Sequence, residues 1–220
     1  DTVRTIDDAK RAADLGAVAL QLTSPIFNHP NDDDKLRYFE AVNNSIDIGM
    51  MIYSVKWQRG DNYYGVVFPD TLRKMVDFEN LVAVKWSPQA GSSYEDIFDL
   101  KDTFNIIDNT GSPVRNHQLG GKGFVNMTGP VNPQHIVGIW DLMEAGHYDE
   151  AQAKWDSIEP TLRDFYRRVS VRSGGQARVL KAMMKVIGKP VGDCRPPSLP
   201  LLPAEQDELR TIMQGWGWAS

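Results

Sequence analysis

The chain has 220 residues, of which 41% are hydrophobic and 24% are charged, and it carries a formal net charge of −5. This composition is typical of an ordinary globular protein, and the negative charge argues weakly against nucleic acid as a main partner. The single cysteine, Cys194, excludes an internal disulfide framework and a cysteine-rich metal site.

The N-terminal residues, DTVRTIDDAK, are polar and lack the apolar segment of a signal peptide. No apolar run approaches the roughly 20 residues needed to cross a bilayer, so we expect no membrane partner and a cytoplasmic location. Thr5 is the predicted N-cap of a first helix, which Gly16 ends. Because nothing precedes this helix for it to pack against, we expect the chain to begin partway through a larger fold.

Between residues 17 and 128, apolar strand patterns alternate with amphipathic helix patterns. The predicted strands are 17–25, 50–55, 81–86, 105–108 and 123–128. The predicted helices are 32–45, 69–78, 93–104 and 112–121. Five strands with helices between them predict βαβ units and a parallel sheet, in which strands adjacent in sequence are also neighbours in space.

After Pro133 the pattern becomes helical, and no strand pattern is evident. The predicted helices are 133–169, 174–188 and 203–218, with a proline-rich connector at 194–203. We therefore expect two regions. Residues 1–132 form an α/β region with a parallel sheet, and residues 133–220 form a helical C-terminal region.

The third predicted strand, LVAVKW (81–86), is an apolar run that ends on a lysine and a tryptophan. Alternate residues of a barrel strand point inward, so an inward Lys85 predicts Leu81 and Ala83 beside it and Val82 towards the helices. Lys85 is then the last inward residue at the carboxyl end of its strand, where active sites form in this architecture. A partly desolvated amine there favours attack on a carbonyl group and Schiff-base formation. The alternative is a lysine whose ammonium group extends to the rim.

The preceding strand, MMIYSV (50–55), supports the interpretation of Lys85 as a Schiff-base-forming residue. The same geometry places Tyr53 near the carboxyl end of its strand, and consecutive strands pair at about 4.8 Å. Schiff-base chemistry moves protons between the amine, the intermediates and the activated carbon, and a phenol within hydrogen-bond reach is a suitable proton shuttle. The alternative is a core tyrosine with a bonded hydroxyl group.

Several motifs of the chain resemble the dihydrodipicolinate synthase and N-acetylneuraminate lyase family. In chain order they are GAVALQLTSPIFNHPNDDDKLRYFEAV, IYSV, NLVAVKWS, LGGKGFVNMTGPVNPQ and KAMMKVIGKPVGDCRPPSLPLLPAEQDELRTIM. The resemblance covers essentially the whole chain and is specific because separate motifs fall in the right order. It implies a class I aldolase-type (β/α)8 TIM barrel, here only about strands 4–8, with a C-terminal helical extension. Residues 1–132 are then the partial (β/α)8 barrel, and residues 133–220 contain the last barrel helix and the helical C-terminal region.

The resemblance also implies roles for four residues. In the family, the lysine that matches Lys85 forms a Schiff base with pyruvate or another 2-oxo acid, and the tyrosine that matches Tyr53 donates and accepts protons. Val125, in GFVN, matches the residue that lies against the bound pyruvate unit. Arg59, in the loop KWQRGDNYYG, is the candidate for holding a substrate carboxylate.

The sequence also departs from the family pattern. The chain is similar to the family only from about the third barrel helix, so roughly three βα units, with a threonine-containing loop for the 2-oxo carboxylate, are expected to be absent. Ser54 follows Tyr53 where the family has asparagine. Ile26 and Phe27 stand where family members that make dihydrodipicolinate carry a second tyrosine. These departures argue against that synthase and favour a relative acting on a different aldehyde or sugar acid.

The implied function is that of a Schiff-base-forming lyase, an aldolase or dehydratase, acting on pyruvate or another 2-oxo acid. The alternative, motivated by the missing hydroxyl group at Phe27, is a non-catalytic barrel that binds a 2-oxo acid. No cofactor is implied, and the four histidines lie in different units without metal-ligand spacing. The expected partners are small molecules and further copies of the chain, in a dimer or tetramer. Because five strands leave two sheet edges with unpaired backbone groups, we expect residues 1–220 not to fold independently.

Overall fold

The computed structural model describes residues 1–25, 29–54, 65–88 and 92–219. The chain forms two compact units, Asp1–Val125 and Asn126–Ser220. The first unit alternates strands and helices, and the described part of the second is helical. The expected division after residue 132, between a partial barrel and a region with the last barrel helix, stays a prediction.

The first unit contains a five-stranded parallel sheet in the order β1-β2-β3-β4-β5. The strands are β1 (Ala19–Leu22), β2 (Gly49–Tyr53), β3 (Leu81–Trp86), β4 (Asn105–Asp108) and β5 (Gly123–Phe124). The prediction of parallel pairing between consecutive strands is therefore confirmed. The central strands are rich in β-branched residues, and Ile52, Val84 and Ile106 are fully buried, as expected for a sheet covered by helices.

Helices connect these strands and cover one face of the sheet. They are α1 (Thr2–Asp14), α2 (Asp32–Asn43), α3 (Pro69–Arg73), a 3₁₀ helix (Tyr94–Leu100) and α4 (Pro113–Gln118). Phe39 of α2, Leu72 of α3 and Ile97 of the 3₁₀ helix pack in one core with Trp86 of β3. All four side chains are fully buried, so this core fixes one face of β3 and leaves alternate residues to the other face.

The predicted start of the first helix is wrong. Asp1, not Thr5, is the N-cap, because its carboxylate accepts a hydrogen bond from the Arg4 backbone N–H at 2.9 Å. Thr5 lies within the helix, and its hydroxyl group donates to the Asp1 carbonyl at 3.1 Å. The end of the helix agrees with the prediction, since Gly16 follows it with a φ of 94°.

The predicted facing of β3 is correct for Ala83 and Lys85 but wrong for Leu81 and Val82. Met50 pairs with Leu81 and Met51 with Ala83, so the register shifts and Val82 has no partner on β2. This irregularity turns Leu81 into the helix-covered core and leaves Val82 40% exposed. The alternation that places Lys85 opposite the core begins only after the shift.

The second unit contains α5 (Pro133–Glu144), α6 (Tyr148–Asp156), α7 (Glu159–Val169), α8 (Gln176–Val186) and α9 (Pro203–Gly215). The single long helix predicted over 133–169 is therefore three helices. Gly146, with a φ of 78°, follows α5, and Pro160 in the first turn of α7 cannot continue a preceding helix. Phe165, Met183 and Leu209 join α7, α8 and α9 in one core.

Arg178 of α8 ties this helical core together. Its guanidinium group donates to the backbone carbonyls of Val169, Ser173, Leu199 and Pro200 at distances from 2.5 to 3.3 Å. Only 4% of the residue is exposed. A buried guanidinium group with four backbone acceptors is a structural element, because each of its three nitrogens donates at least one hydrogen bond. None of the helices in the described ranges has the length and apolarity to span a bilayer.

Candidate active site

Lys85 and Tyr53 lie side by side at the carboxyl ends of β3 and β2. The two residues are partners in the parallel ladder, so their side chains leave the same face of the sheet. Lys85 Nζ lies 3.7 Å from the centroid of the Tyr53 ring. The structure therefore brings together the two residues that the sequence predicted to share one site.

The Lys85 side chain is buried, and its amine contacts an aromatic ring. The residue is 8% exposed, and its amine packs on the Tyr53 ring face. Within residues 1–25, 29–54, 65–88 and 92–219, it forms no ion pair or side-chain hydrogen bond. No carboxylate of the described residues holds this nitrogen, which favours its reaction with a ligand carbonyl carbon.

Asn109 is a site residue that the sequence analysis missed. Its Nδ2 donates to Ser87 Oγ at 2.9 Å and to the Tyr53 hydroxyl oxygen at 3.4 Å. Its backbone N–H donates to the Trp86 carbonyl at 3.0 Å and so extends the β3–β4 ladder by one residue. Asn109 follows Ile107, the β4 partner of Lys85, by two positions, and this alternation was the available signal.

Asp108 organises the turn that follows β4. Its carboxylate is fully buried and accepts hydrogen bonds from the Thr110 hydroxyl group and from the backbone N–H groups of Thr110, Gly111 and Ser112 at 2.7–3.1 Å. The Tyr94 hydroxyl group donates to it at 2.9 Å. Burial, together with the charge of Asp108, raises the pKa of Tyr94 above its ordinary range. This network fixes the backbone next to Asn109.

Ser54 anchors the end of β2. It is fully buried, and its hydroxyl group donates to the Val67 carbonyl at 3.0 Å and accepts from the Val67 N–H at 3.1 Å. Its own N–H donates to the Lys85 carbonyl at 3.1 Å. Ser54 therefore links the end of β2, next to Tyr53, to both β3 and the segment before α3.

Val125 directly follows β5, whereas the predicted strand extended to residue 128. Its N–H donates to the Asp108 carbonyl at 3.0 Å, so it continues the β4–β5 ladder. By alternation from Gly123, the partner of Ile107, it is on the face of the sheet that carries Lys85, and it is 48% exposed. The predicted Arg59, and Ile26 and Phe27, lie outside the described residues.

The reactive groups at the carboxyl ends of these strands are the Lys85 amine, the Tyr53 phenol, the Asn109 amide and the Ser87 hydroxyl group. In the described part of the chain, no group of three or more histidine, cysteine, aspartate or glutamate side chains is arranged to hold a metal ion. The arrangement suits nucleophilic attack by nitrogen with nearby proton transfer through oxygen.

Comparison with known proteins gives consistent results. The model of the dihydrodipicolinate synthetase family matches residues 1–215. A 4-hydroxy-tetrahydrodipicolinate synthase of Corynebacterium urealyticum is 27% identical over 223 residues, which cover 99% of this chain and 69% of that protein. The corresponding enzyme of Syntrophus aciditrophicus is 24% identical over 220 residues, which cover 98% of this chain and 72% of that protein.

Solved structures with the same fold include YagE of E. coli K12, a prophage protein of the dihydrodipicolinic acid synthase family in complex with pyruvate. It matches with a TM-score of 0.84 and 19% identity over 100% of this chain and 73% of that chain. Dihydrodipicolinate synthase of Thermotoga maritima matches with a TM-score of 0.83 and 19% identity, over 99% and 72% respectively. These likenesses confirm the predicted fold class, an α/β chain of the TIM-barrel type with a helical extension.

Proposed function

Because the chain belongs to the dihydrodipicolinate synthetase family, we propose that it is a lyase that forms a Schiff base with pyruvate or another 2-oxo acid. Lys85 is the nucleophile and Tyr53 is the acid and base. The observation that carries the proposal is the buried Lys85 amine, which packs on the Tyr53 ring at the carboxyl ends of paired strands. This is the end of the sheet at which barrel enzymes act.

The relatives support the choice of substrate. Those cited above are 4-hydroxy-tetrahydrodipicolinate synthases, and one structural neighbour is a complex with pyruvate. The second substrate is an aldehyde or a sugar acid. The proposed enzyme is a cytoplasmic homo-oligomer, a dimer or tetramer, with the barrel chemistry in residues 1–132 and the helical region in residues 133–220.

The reaction begins at the amine. The Lys85 nitrogen adds through its lone pair to the C2 carbonyl carbon of the 2-oxo acid, and one proton passes from the nitrogen to the former carbonyl oxygen, which gives a carbinolamine. The carbinolamine hydroxyl group then takes up a further proton and leaves as water, while the nitrogen lone pair forms the C=N bond of the iminium ion. Removal of a C3 proton then gives an enamine, whose C3 attacks the aldehyde carbon of the second substrate while the aldehyde oxygen takes up a proton and becomes a hydroxyl group. Water finally releases the product and regenerates the amine.

Tyr53 carries the proton transfers in this scheme. Its hydroxyl group is attached to the ring that contacts Lys85 Nζ, so the same side chain can reach the oxygen of the carbinolamine. Val125, partly exposed on the same face of the sheet, is proposed to contact the hydrocarbon part of the bound 2-oxo acid. Arg59 is proposed to bind a carboxylate of the second substrate.

Trapping with borohydride tests the proposal. The protein is incubated with pyruvate and sodium borohydride, which reduces the C=N bond to a stable amine, and its intact mass is measured. We expect one reduced pyruvate adduct per chain in the wild type and none in Lys85→Ala, with both proteins shown to be folded by thermal melting. An adduct that persists in Lys85→Ala would refute the assignment of the nucleophile.

A further inference from the structure

Asn109 has a side chain whose two amide hydrogens are both committed within the site. A carboxamide nitrogen carries two hydrogens, and Asn109 Nδ2 donates to Ser87 Oγ at 2.9 Å and to the Tyr53 oxygen at 3.4 Å. The shorter bond fixes the amide plane, and the longer bond is directed at the proposed acid and base. The direction of donation is therefore set before any substrate binds.

The backbone beneath this amide is held on both sides. The Asn109 N–H bonds to the Trp86 carbonyl at 3.0 Å, and the preceding residue is the fully buried Asp108. The Asp108 carboxylate accepts three backbone N–H groups of the following turn at 2.8–3.1 Å. The strand end and the turn are both fixed, so the amide already lies on the Tyr53 side of the sheet. Little conformational entropy is therefore lost in ordering it when a substrate binds.

We infer that Asn109 is a positioning residue that orients the Tyr53 hydroxyl group for proton transfer and stabilises its oxygen as the proton leaves. This inference rests on the proposed function and deepens it. An N–H donor aimed at the phenol oxygen directs the phenol hydrogen away from Asn109. When the phenol gives its proton to an intermediate, the charge on its oxygen strengthens that same hydrogen bond. A length of 3.4 Å in the free protein is compatible with this, since such bonds tighten as charge develops.

The inference separates two steps of the reaction. Borohydride trapping reports that the Lys85 amine is intact, because the amine must attack the substrate before a C=N bond can be reduced. Exchange of the pyruvate methyl protons with deuterated water, followed by proton NMR, reports the C3 proton transfer and needs no second substrate. Loss of Asn109 is therefore expected to lower the rate of proton exchange and to leave the final yield of the trapped adduct unchanged.

The test uses Asn109→Ala, Asn109→Asp and a matched control, Asn105→Ala. Asn105 is an exposed asparagine at the opposite end of β4, whose Nδ2 donates to the Val82 carbonyl at 2.9 Å. We expect Asn109→Ala to lower the maximal exchange rate about tenfold, the effect of losing one functional hydrogen bond. The pyruvate concentration at half-maximal rate should change less than about twofold. Asn109→Asp should be slower still, because a carboxylate has no donor and places charge beside the phenol oxygen. Asn105→Ala should match the wild type.

A double-mutant cycle with Tyr53→Phe decides whether Asn109 acts through the phenol. In the Tyr53→Phe background, Asn109→Ala should change the exchange rate less than about twofold, because no phenol oxygen remains to be oriented. An equal loss in both backgrounds, or a wild-type rate in Asn109→Ala, would overturn the inference while the adduct on Lys85 still forms. Failure of the wild type itself to form an adduct would refute the proposed function and the inference with it.

Discussion

The carboxyl ends of the sheet strands and the core of the helical unit each bury a basic side chain, in different surroundings. In the helical unit, Arg178 donates to four backbone carbonyls and lies 3.8 Å from the Glu205 carboxylate. At the sheet edge, Lys85 contacts the face of an aromatic ring and, among the residues the structure describes, has no oxygen partner. The first arrangement stabilises a fold, whereas the second leaves an amine available to a ligand.

Lys35 shows that this difference does not follow from residue type. It is buried in the first turn of α2, and its amine lies 2.9 Å from the Asp32 carboxylate. Of the three basic residues that are buried in the described ranges, two therefore have oxygen partners, and Lys85 does not. Buried basic side chains normally have acceptors, so the lack of one among the described residues marks Lys85 as the residue to explain by function.

The largest expected effect is on chemistry at the sheet edge. Tyr53→Phe keeps the ring on which Lys85 packs and removes only the hydroxyl group. We expect pyruvate methyl-proton exchange to fall on the order of 10³-fold, because a general acid and base contributes about 10²–10⁴. The borohydride adduct on Lys85 should still form, and the melting temperature should change little. Unchanged exchange would remove Tyr53 from the proposed mechanism.

Arg178→Met tests the structural half of the comparison. The substitution keeps an apolar stem and leaves the carbonyls of Val169, Ser173, Leu199 and Pro200 without this donor. We expect a loss of about 3 kcal/mol in the free energy of unfolding, measured by urea denaturation. At temperatures where the variant stays folded, the adduct on Lys85 should form normally. A variant as stable as the wild type would show that the Arg178 guanidinium group does not stabilise the helical unit.

Lys35→Met provides a smaller effect within the same unit as Lys85. Its partner Asp32 is 45% exposed in its side chain, so the carboxylate left behind can be solvated. We expect a loss of about 1 kcal/mol of stability and an unchanged rate of pyruvate exchange. If Lys35→Met abolished exchange while the protein remained folded, the distinction between the two buried lysines would be wrong.

The smallest expected effect concerns Glu159 in the helical unit. Burial raises the pKa of its carboxyl group above the ordinary value near 4.5, although Asn126 donates a hydrogen bond to it. A raised pKa means that the folded state binds the proton more tightly, so this contribution to stability is present below pH of about 4.5 and is lost as pH rises through the folded value. Glu159→Gln should therefore gain stability relative to the wild type as pH increases from 4.5. A difference that does not vary with pH would contradict this.

The sequence predicted the parts of the fold that depend on local patterns. The parallel order of five strands and the pairing of Tyr53 with Lys85 follow from alternating apolar runs and from the rule that consecutive strands are neighbours. The position of Leu81 was not predictable in this way, because the register shift opposite Met50 depends on tertiary packing rather than on the strand pattern.

The sequence likewise predicted the part of the site that depends on local patterns. Lys85 and Tyr53 have side chains whose chemistry stands out at the end of an apolar strand. Asn109 was missed because asparagine after a strand is a common turn residue. Its relevance depends on a ladder bond to Trp86 and on the turn that Asp108 holds. Sequence patterns do not encode that geometry.

The most direct test of the contrast between Lys85 and Lys35 is to locate the trapped pyruvate. The protein is treated with pyruvate and sodium borohydride and digested, and the modified lysine is identified by tandem mass spectrometry. We predict modification of the peptide that contains Lys85, none of the peptide that contains Lys35, and loss of the label in Lys85→Ala. Equal labelling of both lysines, or an unmodified Lys85 beside a labelled lysine elsewhere, would contradict the account.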